Sequence, residues 1–149
     1  MQAQILAPAA VLVLWSLVML YWMAFTRLPA MKKMGGGVAQ PKPGGRGQDL
    51  EGRIPDKVQW KAHNYAHLME QPTIFYPAVM ILAIMGAGAT DVLLAWTYVA
   101  IRIIHSLWQS LVNTIPVRIT LFFLSSFALL ALAIRAVIAT LLFDPGVAP

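Results

Sequence analysis

The sequence predicts an all-α integral membrane protein, an up-down bundle of four transmembrane helices in a single domain over residues 1–149. Of the 149 residues, 59% are apolar and only 11% are charged, and the mean hydropathy is +0.69. An ordinary soluble domain is about half apolar and a quarter charged, and so short a chain cannot hide such an apolar excess in its core. Four apolar runs are each close to or longer than the roughly 20 residues that cross a bilayer as a helix.

The apolar runs place the four helices at about 5–28, 58–85, 92–112 and 117–143. No basic residue precedes the first run, and it is longer than the apolar segment of a signal peptide, so we interpret it as a helix. Residues 29–56 are rich in Gly and Pro, which predicts a loop. Its glycines lack the GK[ST] ending and the preceding strand of a phosphate-binding loop, which favours a solvated linker over a nucleotide site.

The positive charge is concentrated around this loop. The net charge is +5, and eight of the eleven Lys and Arg residues lie between Arg27 and Lys61, namely Arg27, Lys32, Lys33, Lys42, Arg46, Arg53, Lys57 and Lys61. Basic loops stay on the cytoplasmic side, so we expect loop 29–56 to be cytoplasmic, both termini to lie outside, and the membrane to be the inner (plasma) membrane. Tyr21, Trp22 and Trp60 fit an aromatic belt on that side. This clustering argues against a nucleic-acid partner.

The second predicted helix carries three polar side chains with a helical spacing. His63, His67 and Glu70 fall within roughly 60° of one another on a helix of 3.6 residues per turn, and Pro72 and Pro77 should loosen the helix just beyond them. Two histidines four residues apart can share a metal ion, which leaves a metal or proton pathway with Arg102 open as a minor alternative. No fourth ligand is evident, so no metal site is predicted.

The third predicted helix has a polar stripe on an otherwise apolar surface. Charges inside spanning segments are expensive unless they are paired or functional, and Glu70 should lie near the depth of this stripe. We therefore expect Glu70 to meet Arg102 or Arg118, either as an ion pair that fixes helix register or as part of a pocket for an anionic ligand. The stripe consists of Tyr98, Arg102, His105, Ser106, Gln109 and Asn113.

The fourth predicted helix should begin after Pro116, with Asn113 or Thr114 available to cap it. Arg118 then lies in the first turn, at the cytoplasmic surface, where it either extends toward the interface or acts on a ligand. Arg135 lies near the outer end; we expect it to extend to the interface or to pair with Asp144, and assign it no function. The absence of cysteine excludes disulfides, thiolate metal sites and a cysteine nucleophile.

Two segments carry a resemblance to a known family. These are KAHNYAHLMEQPTIFYP, which begins at Lys61, and AIRIIHSLWQSLVNTIPVR, which ends at Arg118. Together with the long first loop and the four-helix hydropathy, they make the chain resemble a bacterial-type member of the MAPEG family (membrane-associated proteins in eicosanoid and glutathione metabolism).

The resemblance implies a homotrimer that binds glutathione between protomers and takes a lipophilic co-substrate from the bilayer. It places the family's ligand-binding glutamate, arginine and histidine on Glu70, Arg102 and His105, and the arginine credited with thiolate stabilisation on Arg118. It also aligns His67 and Gln109 with two further ligand positions, an asparagine and a tyrosine in other members. The implied activity is that of a glutathione S-transferase or peroxidase, with Arg118 as the catalytic residue.

The chain departs from the family pattern in the second helix. Ala66 stands where an arginine is common, and His67 replaces the typical asparagine. These departures motivate an alternative function, a non-catalytic membrane protein that binds a lipid or a protein partner on the same scaffold.

Overall fold

A computed structural model describes residues 2–33 and 43–143 of the chain. All regular structure in these ranges is helical, which confirms the predicted all-α class. The helices are α1 (Gln2–Lys33), α2 (Asp56–Leu68), α3 (Pro72–Met85), α4 (Ala89–Leu111) and α5 (Ile115–Leu141), with one 3₁₀ turn at Gly47–Leu50 in the predicted loop. Residues 34–42 of that loop, which include Lys42, and Asp144, the expected partner of Arg135, lie outside the described residues.

The predicted second helix is two helices, separated by a break at residues 69–71. Proline lacks the amide hydrogen of a helical residue, and its ring collides with the carbonyl four residues earlier. For Pro72 that residue is Leu68, where α2 ends. The amides of Met69 and Glu70 bond three residues back, at 2.9 and 3.4 Å, as in a 3₁₀ turn. The predicted loosening is therefore confirmed at Pro72, whereas Pro77 lies inside α3 without ending it.

The helices pack in the ring order α1, α2–α3, α5, α4, and α2 also contacts α4. The buried side of α1 recurs every three or four residues, as an amphipathic helix requires; it comprises Ile5, Pro8, Leu12, Ser16 and Met19. In the middle of the bundle the rings of Phe75 and Tyr98 stack with their centroids 4.4 Å apart. Only residues 112–114 join α4 to α5, so these two helices run antiparallel.

The outward faces of the helices are apolar. Large side chains such as Ile84, Phe127 and Leu141 are 64–78% exposed, which in water would be a severe liability and in lipid is expected. Among the described residues, three stretches are long and apolar enough to cross a membrane: Gln2–Lys33, Asp56–Met85 and Ile115–Leu141. The 23-residue α4 carries the buried polar stripe, and that stripe lowers its hydropathy.

Arg135 pairs with Asp91, an outcome that the sequence analysis did not anticipate. Arg135 Nε donates to Asp91 Oδ1, and Nη2 lies 3.2 Å from Oδ2. Asp91 is 2% exposed and also accepts a 2.8 Å hydrogen bond from the amide of Gly88, which caps the start of α4. The expectation missed this partner because Asp91 was taken for a connecting residue, whereas it lies in the first turn of α4.

Candidate functional site

Arg102 lies at the centre of a polar cluster formed by α2, α4 and α5. It is 1% exposed. Its Nε donates to the Tyr98 hydroxyl at 3.2 Å, and its Nη1 lies 3.2 Å from His67 Nε2. The guanidinium carbon is 5.5 Å from the centroid of the Phe122 ring, close enough for a cation–π contact. Nη2 is buried and has no hydrogen-bond partner among the described residues.

His67 connects this cluster to the helix break. Its Nδ1 lies 2.9 Å from Glu70 Oε2, and its ring is 5.0 Å from that of His105 and 5.6 Å from that of Phe122, measured between centroids. Glu70 follows the end of α2, and its side chain is 68% exposed. The structure thus brings together four of the predicted site residues, His67, Glu70, Arg102 and His105.

The expected contact of Glu70 with Arg102 or Arg118 is wrong. Within the described ranges, ion pairs at 4.0 Å or less are His63–Glu51, His67–Glu70 and Arg135–Asp91. The expectation assumed a continuous second helix. The break before Pro72 instead leaves Glu70 against His67, and the imidazole lies between the carboxylate and the guanidinium.

Arg118 is the fourth residue of α5, in the first turn as predicted. It is half-buried, and its Nη1 donates to Asn113 Oδ1 at 2.7 Å. Asn113 adopts a left-handed conformation with φ 60°, a region that asparagine tolerates better than most residues. Arg118 Nε is buried and has no partner in the described part of the chain. Thr114 is the N-cap residue, although its side chain makes no capping hydrogen bond.

His63 does not join the cluster. Its Nε2 lies 2.7 Å from Glu51 Oε1, in the segment that follows the 3₁₀ turn. Across residues 2–33 and 43–143, no group of three or more His, Cys, Asp or Glu side chains is arranged to hold a metal ion. The convergence of His63, His67 and Glu70 that the metal alternative requires is therefore not what the structure shows.

Comparison with known proteins places these residues in a family. The model of the MAPEG family matches residues 5–138. The chain belongs to the MAPEG family. No match was found among the curated proteins or among the solved structures. MAPEG is a membrane family, and together with the three apolar spans this identifies the protein as an integral membrane protein.

The cluster of this MAPEG protein extends through neutral polar side chains that sequence reasoning did not single out. Tyr98 donates to Gln71 Oε1 at 3.4 Å, and Gln71 Nε2 donates to Ser126 Oγ at 2.7 Å. The available signal was a glutamine in front of Pro72 in an otherwise apolar stretch. Asn64 was also missed; it is fully buried and donates to Ser106 Oγ at 2.6 Å.

Gln109 lies on the same face of α4 as Arg102, toward the carboxyl end of α4. This is the end that connects to α5, where Arg118 lies in the first turn. It is 4% exposed, and its Oε1 has no hydrogen-bond partner among the described residues. A buried amide oxygen without a donor costs free energy. Gln109 is thus a further polar group that is available to a ligand.

Two cavities lie beside α2. One, of about 500 Å³, opens where α1, the 3₁₀ turn and α2 meet. The other, of about 330 Å³, lies between the segment after the 3₁₀ turn, α2 and Asn113. Both are lined by Glu51, Gln59 and His63. Neither is lined by Arg102 or Arg118. The smaller cavity nevertheless reaches Asn113, which accepts the hydrogen bond from Arg118.

Proposed function

We propose that this MAPEG protein is a glutathione-dependent membrane enzyme of the transferase or peroxidase type, which conjugates or reduces a lipophilic substrate. The observation that carries the proposal is the buried guanidinium of Arg102. It touches no carboxylate within the described residues, and its Nη2 has no partner. A buried cation is stable only when it is paired and hydrogen-bonded. An anionic ligand would supply the missing partner.

Glutathione fits the chemistry of this cluster. It carries two carboxylates, an ammonium group and a thiol. A carboxylate can accept a charge-assisted hydrogen bond from Arg102 Nη2. Glu70 is mostly exposed and uses Oε2 for His67, so its second oxygen can accept from the ammonium group. His105 and Gln109 provide further polar contacts on α4.

Arg118 is proposed to activate the thiol. A free thiol has a pKa near about 8.5, and the thiolate is the nucleophile. Arg118 lies at the amino end of α5, where its fixed charge and the helix dipole both favour an anion. Its hydrogen bond to Asn113 holds the guanidinium in place. The thiolate sulfur then attacks the electrophilic atom of the lipophilic substrate and displaces a leaving group. With a hydroperoxide, it attacks the terminal oxygen and breaks the O–O bond, which releases the alcohol and leaves a sulfenic acid that a second glutathione converts to the disulfide and water.

We further propose that the site is completed by a neighbouring protomer of a homotrimer. Support comes from the cavities, since neither is lined by Arg102 or Arg118, and from Glu70, whose exposed side chain leaves room for a second subunit. The packing of α4 along α5 supports a fourth membrane crossing. Loop 29–56 would then be cytoplasmic, with the co-substrate entering from the bilayer.

Calorimetric titration of the detergent-solubilised protein with glutathione tests this proposal. We expect the wild type to bind and Arg102→Gln to bind at least about tenfold more weakly, because a charge-assisted hydrogen bond of roughly 1.5–3 kcal/mol is lost. Arg53→Gln, which removes an exposed positive charge in the loop, should leave the affinity unchanged. Equal affinity in wild type and Arg102→Gln would overturn the assignment of Arg102. Absence of binding by the wild type would favour the alternative, a non-catalytic protein that binds a lipid or a partner.

A further inference from the structure

We propose that His67 is a positioning residue that links the carboxylate of Glu70 to the guanidinium of Arg102 through a single fixed imidazole tautomer. This Glu70–His67–Arg102 relay would orient Arg102 so that Nη2 is the nitrogen left for an anion. The inference deepens the proposed function, since it assumes that Arg102 binds the ligand. It concerns a residue of this chain that differs from the asparagine typical of the family.

The two hydrogen bonds of His67 determine its tautomer. Arginine nitrogens only donate, so Nε2, at 3.2 Å from Arg102 Nη1, must accept. The carboxylate of Glu70 accepts, so Nδ1, at 2.9 Å from Oε2, must donate. One neutral tautomer, with the proton on Nδ1, satisfies both contacts. An imidazolium would instead point an N–H group at the guanidinium.

The relay accounts for a buried arginine that lacks a carboxylate in contact. The charged and titratable groups around His67 are Glu70 from the helix break, Arg102 and His105 from α4, and Arg118 from α5. Glu70 is the acid among them. A hydrogen bond from Nδ1 to this carboxylate increases the electron density on Nε2, as in the pairs of carboxylate and histidine that orient other sites. The imidazole thereby becomes a stronger acceptor for Arg102.

The same contacts leave Nη2 as the buried guanidinium nitrogen of Arg102 that has no hydrogen-bond partner among the described residues. Nε is directed to Tyr98 and Nη1 to His67, while the guanidinium lies against the ring of Phe122. The plane and direction of Nη2 are therefore fixed before a ligand arrives. Fixing a binding group in advance lowers the entropy cost of binding. Loss of His67 should weaken anion binding even though His67 itself need not touch the anion.

The first test needs no glutathione. Nitrogen NMR of ¹⁵N-histidine-labelled protein, with the His67 signals assigned by their loss in His67→Gln, reports which ring nitrogen is protonated. We expect Nδ1 to be protonated and Nε2 to be a bare acceptor at neutral pH. A proton on Nε2, or on both nitrogens, would overturn the relay.

The second test is a double-mutant cycle on glutathione affinity. His67→Leu should raise the Kd about tenfold, and His67→Gln should restore it to within about threefold of wild type, because an amide can also accept from Arg102 and donate to Glu70. In the Arg102→Gln background, His67→Leu should have no further effect. His63→Gln, the same replacement one turn earlier on α2, is the matched control.

The outcomes separate this inference from the proposed function. If His67→Gln binds as weakly as His67→Leu, or if His67→Leu weakens binding equally without Arg102, the relay is wrong while glutathione binding stands. If the wild type does not bind glutathione, the proposed function fails, and the NMR measurement alone decides the relay.

Discussion

Asp91 and Arg102 are two charged side chains that the fold buries almost completely. Within the described residues, Asp91 contacts an oppositely charged side chain and Arg102 does not. Asp91 forms what we call a closed pair, because both of its carboxylate oxygens are hydrogen-bonded: it accepts hydrogen bonds from Arg135 and from the Gly88 amide. We call Arg102 an open buried cation, because its hydrogen-bond partners are the neutral side chains of Tyr98 and His67. Its Nη2 has no partner within the described residues. A closed pair is typical of a structural contact, whereas an open buried cation indicates a ligand site.

The closed pair yields a prediction for stability. Arg135→Gln leaves the buried carboxylate of Asp91 without its cation, so we expect it to lower the free energy of unfolding by about 1–3 kcal/mol. Thermal unfolding in detergent measures the effect, and Arg53→Gln in the loop is the control. An unchanged melting temperature for Arg135→Gln would show that the pair contributes nothing. Glutathione affinity should be the same in both variants, since Arg135 bonds to Asp91 and makes no hydrogen bond to His67, Arg102 or Arg118 among the described residues.

At the scale of the elements, the break between α2 and α3 positions Glu70. It arises because Pro72 cannot continue the hydrogen-bond ladder from Leu68. On an uninterrupted helix Glu70 would lie on the same face as His63 and His67, as the sequence analysis expected. The 3₁₀-like turn at residues 69–70 keeps the i, i+3 spacing that makes Glu70 and His67 neighbours, and their contact is the one that the proposed relay uses.

Pro72→Ala tests the origin of the break. With an amide restored at position 72, residues 69–73 can form regular helical hydrogen bonds, so we expect slower hydrogen–deuterium exchange in this segment. Pro77→Ala is the matched control, because Pro77 lies inside α3 without breaking it. Exchange in residues 69–73 that is as fast as in the wild type would contradict this explanation.

The sequence could predict the elements better than the contacts between them. Apolar runs and prolines predict the helical segments, the loosening at Pro72 and the place of Arg118, because these depend on local hydropathy and backbone chemistry. They did not predict that the second segment is divided into α2 and α3. The partners of Glu70 and Arg135 depend on how helices rotate against one another, and the sequence contains no local signal for that rotation. The predicted depth of Glu70 led us to expect a contact with Arg102 or Arg118. In the structure, His67 lies between Glu70 and Arg102.

On the scale of the whole molecule, the basic residues are concentrated at one end of the ring of helices. Seven described basic residues lie at the end formed by α1, the loop and α2, and the connection between α3 and α4 has none. From the positive-inside rule, we propose that the loop is cytoplasmic and that this connection faces outside.

This topology is testable because the chain has no cysteine of its own. A single cysteine introduced by Ala89→Cys should react with a membrane-impermeant maleimide in intact cells. One introduced by Arg53→Cys should react only after the membrane is opened or inverted. Equal labelling of both variants in intact cells would contradict the proposed orientation, and labelling of Arg53→Cys alone would reverse it.

We propose above all that this membrane protein binds glutathione and holds its thiol as a thiolate. The most direct measurement is the ultraviolet absorbance of the thiolate during titration with glutathione, at a pH where free glutathione is mostly thiol. We expect the wild type to form thiolate and Arg118→Gln to bind glutathione without forming it, since the fixed charge at the start of α5 is removed. Thiolate formation in Arg118→Gln equal to that of the wild type, or none in either protein, would contradict the account.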